Sequence, residues 1–204
     1  MVVTIEKNIT DRRIEFMPKT YDLVESGTIY AEIDELYELL LKCRSIFPAL
    51  SKDMIGMTNI FTPSFYAYHG FSAQIQLNKP ISSEYIEQNR RLGKWINENA
   101  IIRLHGIMNY YKLTHEIDKS LSGWKEVDLM RRMRNAFSKT PLNYRPEDPD
   151  NIRLRDELIE HFKLIKNNFP ENEIPTPIDK VIEPIFKGCR EYIDASYRKH
   201  NRSQ

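Results

Sequence analysis

The sequence predicts an all-α protein, namely an antiparallel bundle of about five helices. Apolar residues recur at three- and four-residue spacing in five separate segments, as they do on one face of a helix. Prolines or short turn segments end these patterns. The 204 residues are 41% hydrophobic and 29% charged, which is typical of a globular protein with a sizeable core. We therefore expect a single helical domain over residues 1–204, with the bundle core in residues 83–197.

Residues 1–27 are predicted to form an N-terminal arm that precedes the first helix. The apolar residues of this arm fit either a short β element or a segment laid on the core: Val3, Ile5, Ile14 and Phe16. A helical pattern then extends from Thr28 to Phe47, and Pro48 ends it. Its apolar face contains Ile29, Ile33, Leu36, Leu40 and Cys43.

Residues 51–80 form an aromatic-rich insertion in which rings alternate with serines, Pro63 and Gly70. Residues 73–77 alternate like a short strand. We expect an ordered segment that covers the helices. If Tyr66, Tyr68 and Phe71 are exposed instead, they could stack on nucleobases.

Three further helices and a kinked last helix are predicted in the second half. The long helix spans 83–113, with Ser83 as its N-cap and Trp95 on its buried side. The next spans 124–139, because the residue before Pro141 disfavours helical geometry. A helix over 151–168 would bury Ile152 and Ile165. The last begins with Thr176 as its N-cap and Pro177 at its first position, and Pro184 is expected to kink it.

Composition argues against several classes of protein. The formal charge is +1, so no whole-protein field favours nucleic acid or membrane. Cys43 and Cys189 lie far apart and are expected to be buried free thiols. There is no signal-peptide pattern and no apolar run of the roughly 20 residues that cross a bilayer. We expect a cytoplasmic protein without membrane contact, cofactor or metal. A weaker alternative is a metal-dependent enzyme that uses His105 and Glu98.

The most informative segment is the basic stretch from Leu129 to Arg145. It contains no acid and five cations, namely Arg131, Arg132, Arg134, Lys139 and Arg145. On a helix, Arg131 and Arg134 share one side, while Met130 and Met133 share another that should face the core. A row of arginines can bind phosphates through paired hydrogen bonds. The alternative is a solvated basic surface.

Residues Leu129 to Phe137, which include Arg134-Asn135, resemble the signature helix of the HEPN superfamily. The resemblance implies a helical bundle, often a homodimer, that binds RNA or nucleotide. Many members are metal-independent endoribonucleases of toxin–antitoxin or defence systems. Their motif is an Arg, usually followed by Asn, Asp or His, and then a His about five to seven positions after the Arg. It implies that Arg134 steadies phosphate charge, with Asn135 beside it.

The chain departs from this motif where the His should fall. Lys139, Thr140 and Pro141 occupy those positions, and none can act as the imidazole. A second match runs from Arg155 to His161. Six positions along a helix separate these two side chains by about 120°, so they converge on one site only if the helix bends or a dimer mate completes the site. The alternative is a solvent-facing Arg155 and a boundary His161.

Two functions from different classes follow from the sequence. The first is a HEPN-like RNA- or nucleotide-binding homodimer, and its catalytic form would be an endoribonuclease. Its candidate catalytic residues are Arg134, Asn135 and His161, and its candidate nucleic-acid-binding residues are Arg131, Arg132, Lys139, Arg145 and Arg155. The second is a non-enzymatic helical module for protein interaction or assembly.

Overall fold

The computed structural model describes residues 9–16, 28–47, 50–51, 56–63, 70–77, 80–138, 147–171 and 173–202. The chain divides into two compact units, and two of the three boundaries between them fall inside helices. One unit comprises Met1–Leu23 and Tyr37–Ile96, and the other comprises Val24–Leu36 and Asn97–Gln204. The expectation of one domain stays a prediction.

The predicted helical bundle is confirmed. The described residues form five α-helices, namely α1 (Ile29–Ile46), α2 (Ser83–Tyr110), α3 (Trp124–Phe137), α4 (Pro149–His161) and α5 (Glu183–Arg202). A π-helix at Ile178–Ile182 leads into α5, and a 3-10 turn occupies Lys166–Asn168. Among the described residues, no helix has both the length and the apolar character required to span a membrane.

Three strands form an antiparallel sheet in the first unit. They are β1 (Ile9–Phe16), β2 (Gly56–Pro63) and β3 (Gly70–Leu77), in the order β1-β3-β2. Ala73 of the central strand lies opposite Ile14 on one side and Ile60 on the other. Strand β1 is the short β element considered for the N-terminal arm, and β3 contains the strand pattern at 73–77. Val3, Ile5, Tyr66 and Tyr68 lie outside the described residues.

The core of the second unit depends on a close approach of α3 and α5. Met130 and Met133 of α3 are buried, as the sequence predicts. Cys189 of α5 is a buried free thiol, with its Sγ 3.8 Å from the Met130 Sδ. Gly123, just before α3, has a φ of 77°, and a Cβ there would lie 2.0 Å from the Gly188 carbonyl oxygen. Only glycine tolerates both conditions.

Two expectations about α2 are wrong in detail. The helix begins at Ser83, so the cap is Ser82, whose Oγ accepts a hydrogen bond from the Tyr85 N–H at 3.2 Å. Trp95 is 60% exposed rather than buried. It precedes the buried Leu104 by nine residues, which places the two side chains on opposite sides of the helix.

Helix α4 ends earlier than the apolar pattern predicts. Lys163 adopts a left-handed φ of 52°, and the Leu164 N–H donates to the Ile159 carbonyl at 2.8 Å. This arrangement closes the helix and turns Leu164 into the core, as hydrophobic residues often do after a left-handed cap. Ile165 lies beyond this end and is exposed rather than buried, and Ile152 in the first turn of α4 is also exposed, contrary to the prediction.

The last helix also begins differently from the prediction. Pro177 precedes the π-helix, whose first residue is Ile178. Because α5 proper begins at Glu183, Pro184 lies in its first turn. Since proline has no N–H, Pro184 interrupts the backbone hydrogen bonds at the junction between the π-helix and α5.

Candidate functional site

Helices α3 and α4 are antiparallel neighbours joined by ion pairs. Glu157 of α4 accepts hydrogen bonds from both Lys125 and Arg132 of α3. Near the start of α3, the Glu126 Oε1 lies 2.7 Å from the Nε2 of His161, the last residue of α4. Early residues of α3 thus contact late residues of α4, and the end of α3 faces the start of α4.

A cleft of about 580 Å³ lies at that second end of the helix pair. The α3–α4 cleft is lined by Asp128, Arg131, Arg132, Asn135, Ala136, Asp150, Asn151, Arg153 and Leu154. The residues contributed by α3 follow three- and four-residue spacing, so they form one face of that helix. Part of the predicted basic segment therefore lines a single concave surface.

The charges of the cleft are mixed, with three guanidinium groups and two carboxylates. The Arg131 Nη2 donates to the Asp128 Oδ1 at 2.7 Å, and Arg132 is held by Glu157. Arg153 is exposed and makes no ion pair with any residue that the structure describes. Arg131 and Arg153 are thus the cations most available to an incoming anion.

Asn135 supplies an uncharged amide to the same cleft, and the capped first turn of α4 borders it. Asn135 is exposed, and its Oδ1 accepts a hydrogen bond from the Arg134 Nη1 at 3.1 Å, which leaves its amide N–H groups directed away from Arg134. Helix α4 begins beside the cleft, with Asp148 as its N-cap. The Asp148 Oδ1 accepts a hydrogen bond from the Asp150 N–H at 3.0 Å, so the cap ties down the first turn that carries Asp150 and Asn151.

Arg134 lies beside the cleft but does not line it. It is half-buried, and its charge acts on His105 of α2. Burial of the imidazole, followed by the positive charges of Arg134 and Arg131, lowers the pKa of His105 from its usual value. A neutral imidazole therefore lies within electrostatic range of the Arg134-Asn135 pair.

His161 does not approach Arg134 within one chain. Its partner Glu126 precedes Arg134 by eight residues, which corresponds to roughly 12 Å along α3. The imidazole also packs edge-on against Phe162, with 4.7 Å between ring centroids. The structure therefore unites Arg131, Arg132 and Asn135, whereas it places His161 at the opposite end of the helix pair.

Arg155 is buried, so the expectation that it is solvent-facing is wrong. Its side chain is 6% exposed, and its Nη2 donates to the Phe169 carbonyl at 3.2 Å. Its Nε is buried and makes no hydrogen bond with any residue in the described part of the chain. This guanidinium supports the turn after α4 and is withdrawn from the surface that nucleic acid could reach. The physical reason is the early end of α4, because the returning chain covers that face of the helix.

Arg153 and Asn151 are cleft residues that sequence reasoning missed. The sequence did contain a feature that could have identified them. The connection between the third and fourth helices is short, which predicts that the first turn of the fourth helix faces the last turn of the third. Two further predicted residues, Lys139 and Arg145, lie outside the described residues. Among the residues with described positions, no group of three or more His, Cys, Asp or Glu side chains is placed to hold a metal ion.

Comparison of the chain with models of known families, with curated proteins and with solved structures yields no match.

Proposed function

We propose that this protein binds RNA through phosphate contacts in the α3–α4 cleft. The observation that carries the proposal is the convergence of three arginines and two asparagines on one concave surface of a chain with a net charge of only +1. Guanidinium groups bind phosphates through paired, charge-assisted hydrogen bonds. On a nearly neutral protein, such a local cluster provides the electrostatic attraction that the whole molecule lacks.

The residues of the cleft divide into binding and positioning roles. Arg131 and Arg153 contact phosphate oxygens, and the Asn135 amide donates a further hydrogen bond. Arg132 stays on Glu157 and keeps α3 and α4 in register. Asp128 orients the Arg131 guanidinium, while Asp150 offers an acceptor for a hydroxyl group. An acceptor beside phosphate-binding arginines favours RNA, since the ribose 2′-hydroxyl is both donor and acceptor.

The resemblance to HEPN proteins supports a catalytic form of this proposal. In that form the protein is a metal-independent endoribonuclease of a toxin or defence system, and it acts as a cytoplasmic homodimer. Arg134 and Asn135 would stabilise the charge on the scissile phosphate. Because His161 lies at the far end of the helix pair, an imidazole from this position would have to come from the second subunit.

The binding proposal is tested by fluorescence anisotropy with a labelled, mixed-sequence single-stranded RNA. Arg131→Ala and Arg153→Ala are each expected to weaken binding roughly tenfold and to lower the salt slope by about 0.7 per lost phosphate contact. Arg103→Ala is the matched control, because Arg103 is an exposed arginine on α2 outside the cleft. An equal loss of RNA affinity in all three variants, or no loss of affinity in Arg131→Ala and Arg153→Ala, would contradict the proposal.

Catalysis is tested separately by incubating the same RNA with the protein in excess chelator. Cleavage by the wild type and its loss in Arg134→Ala would support the nuclease. Binding without cleavage would restrict the function to RNA recognition.

A further inference from the structure

A second pocket lies in the unit that contains residues 24–36 and 97–204. It has a volume of about 280 Å³ and is lined by Tyr30, Asp194, Tyr197 and Arg198. Tyr30 belongs to the first turn of α1, whereas the other three residues follow three- and four-residue spacing on α5. We call it the tyrosine pocket. None of its residues belongs to the α3–α4 cleft.

One wall of the tyrosine pocket is held in place by its neighbours. The Tyr30 hydroxyl donates to the Asp194 Oδ1, and the guanidinium of Arg190 lies 5.0 Å from the centroid of the Tyr30 ring. Arg190 is itself paired with Asp34. Burial and the bond to Asp194 raise the pKa of Tyr30, so its phenol stays protonated as a donor. This wall is organised before any ligand arrives.

The remaining groups are open to a ligand. The side chain of Tyr197 is 50% exposed, which presents an aromatic surface beside the pocket. Arg198 uses its Nε to bind the Asp194 carbonyl oxygen at 3.2 Å. Its two Nη atoms and the Asp194 Oδ2 make no hydrogen bond with any residue whose position is described. The pocket therefore offers a stacking surface, an acceptor and a pair of donors within reach of one another.

The charges of the pocket restrict its occupant. Arg198 and Asp194 carry opposite formal charges that sum to zero, and they present donors and an acceptor side by side. A matching occupant is neutral and planar, and it carries donors and acceptors along one edge. Nucleobases have these properties, and stacking of a base on a tyrosine tolerates any base identity.

We propose that the tyrosine pocket binds an unpaired nucleobase, which stacks on Tyr197 while its polar edge meets Asp194 and Arg198. The proposal rests on the proposed function in one respect only, namely that the base belongs to an RNA strand. A free nucleoside has the same recognised chemistry, so the two sources are tested apart.

The first arm of the test uses unphosphorylated adenosine, guanosine, cytidine and uridine with the full chain, observed by saturation-transfer NMR. We expect transfer to the base protons in the wild type and in Tyr197→Phe, but not in Tyr197→Ala. Tyr110→Ala is the control, because Tyr110 is 78% exposed and lies outside the pocket. Absence of saturation transfer in the wild type, or transfer in Tyr197→Ala equal to that in the wild type, would contradict the proposed nucleobase site.

The second arm compares a short single-stranded RNA with an abasic strand of equal length, which keeps the phosphates and lacks the bases. The wild type should prefer the intact strand roughly 5- to 150-fold, as one base–aromatic stack predicts, and Tyr197→Ala should remove that preference. Arg131→Ala should lower the affinity for both strands by the same factor.

The two arms separate failure of the pocket from failure of the proposed function. Equal affinity of the wild type for both strands would reject the pocket as an RNA subsite while leaving phosphate binding intact. Nucleoside binding without affinity for either strand would support a site for free nucleosides and reject RNA as the ligand of the cleft. Displacement of bound nucleoside by an uncharged peptide would show that the pocket does not select bases, which contradicts the proposal.

Discussion

Glu157 shows how a single carboxylate joins two helices. It accepts hydrogen bonds from Lys125 and Arg132, and all three side chains are partly buried. Burial alone would raise its pKa, but the two cations outweigh that effect, so the pKa of Glu157 is lowered from its usual value. A carboxylate with a lowered pKa stabilises the fold above its unfolded-state pKa, and that stabilisation is lost as the pH falls.

Glu157→Gln should therefore reduce the free energy of unfolding at pH 7 by about 1 to 2 kcal/mol, because Lys125 and Arg132 lose their charged acceptor. The variant should also lose less stability than the wild type as the pH drops below about 4.5. Urea unfolding at neutral and acidic pH measures both effects. Glu160→Gln, an exposed position on the same helix, is the control, and the same response there would argue against a specific role of Glu157.

His105 provides a second prediction at this scale. Burial and the charges of Arg134 and Arg131 lower its pKa, so its neutral form is favoured in the folded protein. The associated stability is present above the unfolded-state pKa of about 6.5 and is lost as the pH falls. NMR titration of the imidazole should show a higher pKa in Arg134→Ala than in the wild type. Arg103→Ala should leave the pKa of His105 unchanged. An unchanged pKa of His105 in Arg134→Ala would show that the charge of Arg134 does not act on this imidazole.

The contact between α3 and α5 depends on the backbone at two glycines. Gly123 has a positive φ and approaches the Gly188 carbonyl, while a Cβ on Gly188 would lie 2.3 Å from the Glu126 Cγ. This close packing brings Met130 against Cys189 and builds the core of that unit. Neither glycine belongs to a recognisable sequence motif, although Ser122-Gly123 does mark the break before α3.

Gly123→Ala should lower the free energy of unfolding by about 2 to 4 kcal/mol, because alanine adds both left-handed strain and a clash with backbone. Gly106→Ala is the matched control. Gly106 lies inside α2, and a Cβ added there would meet no atom within 4 Å, so alanine should raise stability by about 0.5 to 1 kcal/mol. Chemical denaturation compares the two. Similar free energies of unfolding for the two variants would show that the fold does not require the close approach of Gly123 to Gly188.

At the scale of the whole molecule, the proposed function depends on local charge rather than net charge, and its catalytic form depends on a second subunit. The net charge of +1 conceals a cleft in which arginines outnumber carboxylates. The proposed nuclease assigns the imidazole of the HEPN-like motif to His161, yet His161 of the same chain is held by Glu126. A homodimer is the arrangement that would allow a second chain to supply it.

Sedimentation equilibrium should therefore give twice the mass of one chain at micromolar concentration. If the composite site exists, mixing Arg134→Ala and His161→Ala proteins should restore part of the cleavage that each has lost. Cleavage by a strictly monomeric protein would contradict this arrangement, because a single chain would then suffice.

The amino-acid sequence by itself determined the helices, because apolar periodicity and terminal prolines act within one segment. The third helix was predicted to within two residues, and the burial of Met130 and Met133 followed from their spacing alone. The early end of α4 could not be read from this periodicity, since the left-handed Lys163 depends on how the returning chain packs.

Only the tertiary structure decided which of the candidate site residues share one concave surface. Arg131, Arg132 and Asn135 share the α3–α4 cleft with Arg153, whereas Arg155 is buried and His161 pairs with Glu126. The sequence could group residues along one helix, because helical geometry is regular. It could not group residues across two helices, because the packing of the whole core sets which helix ends meet.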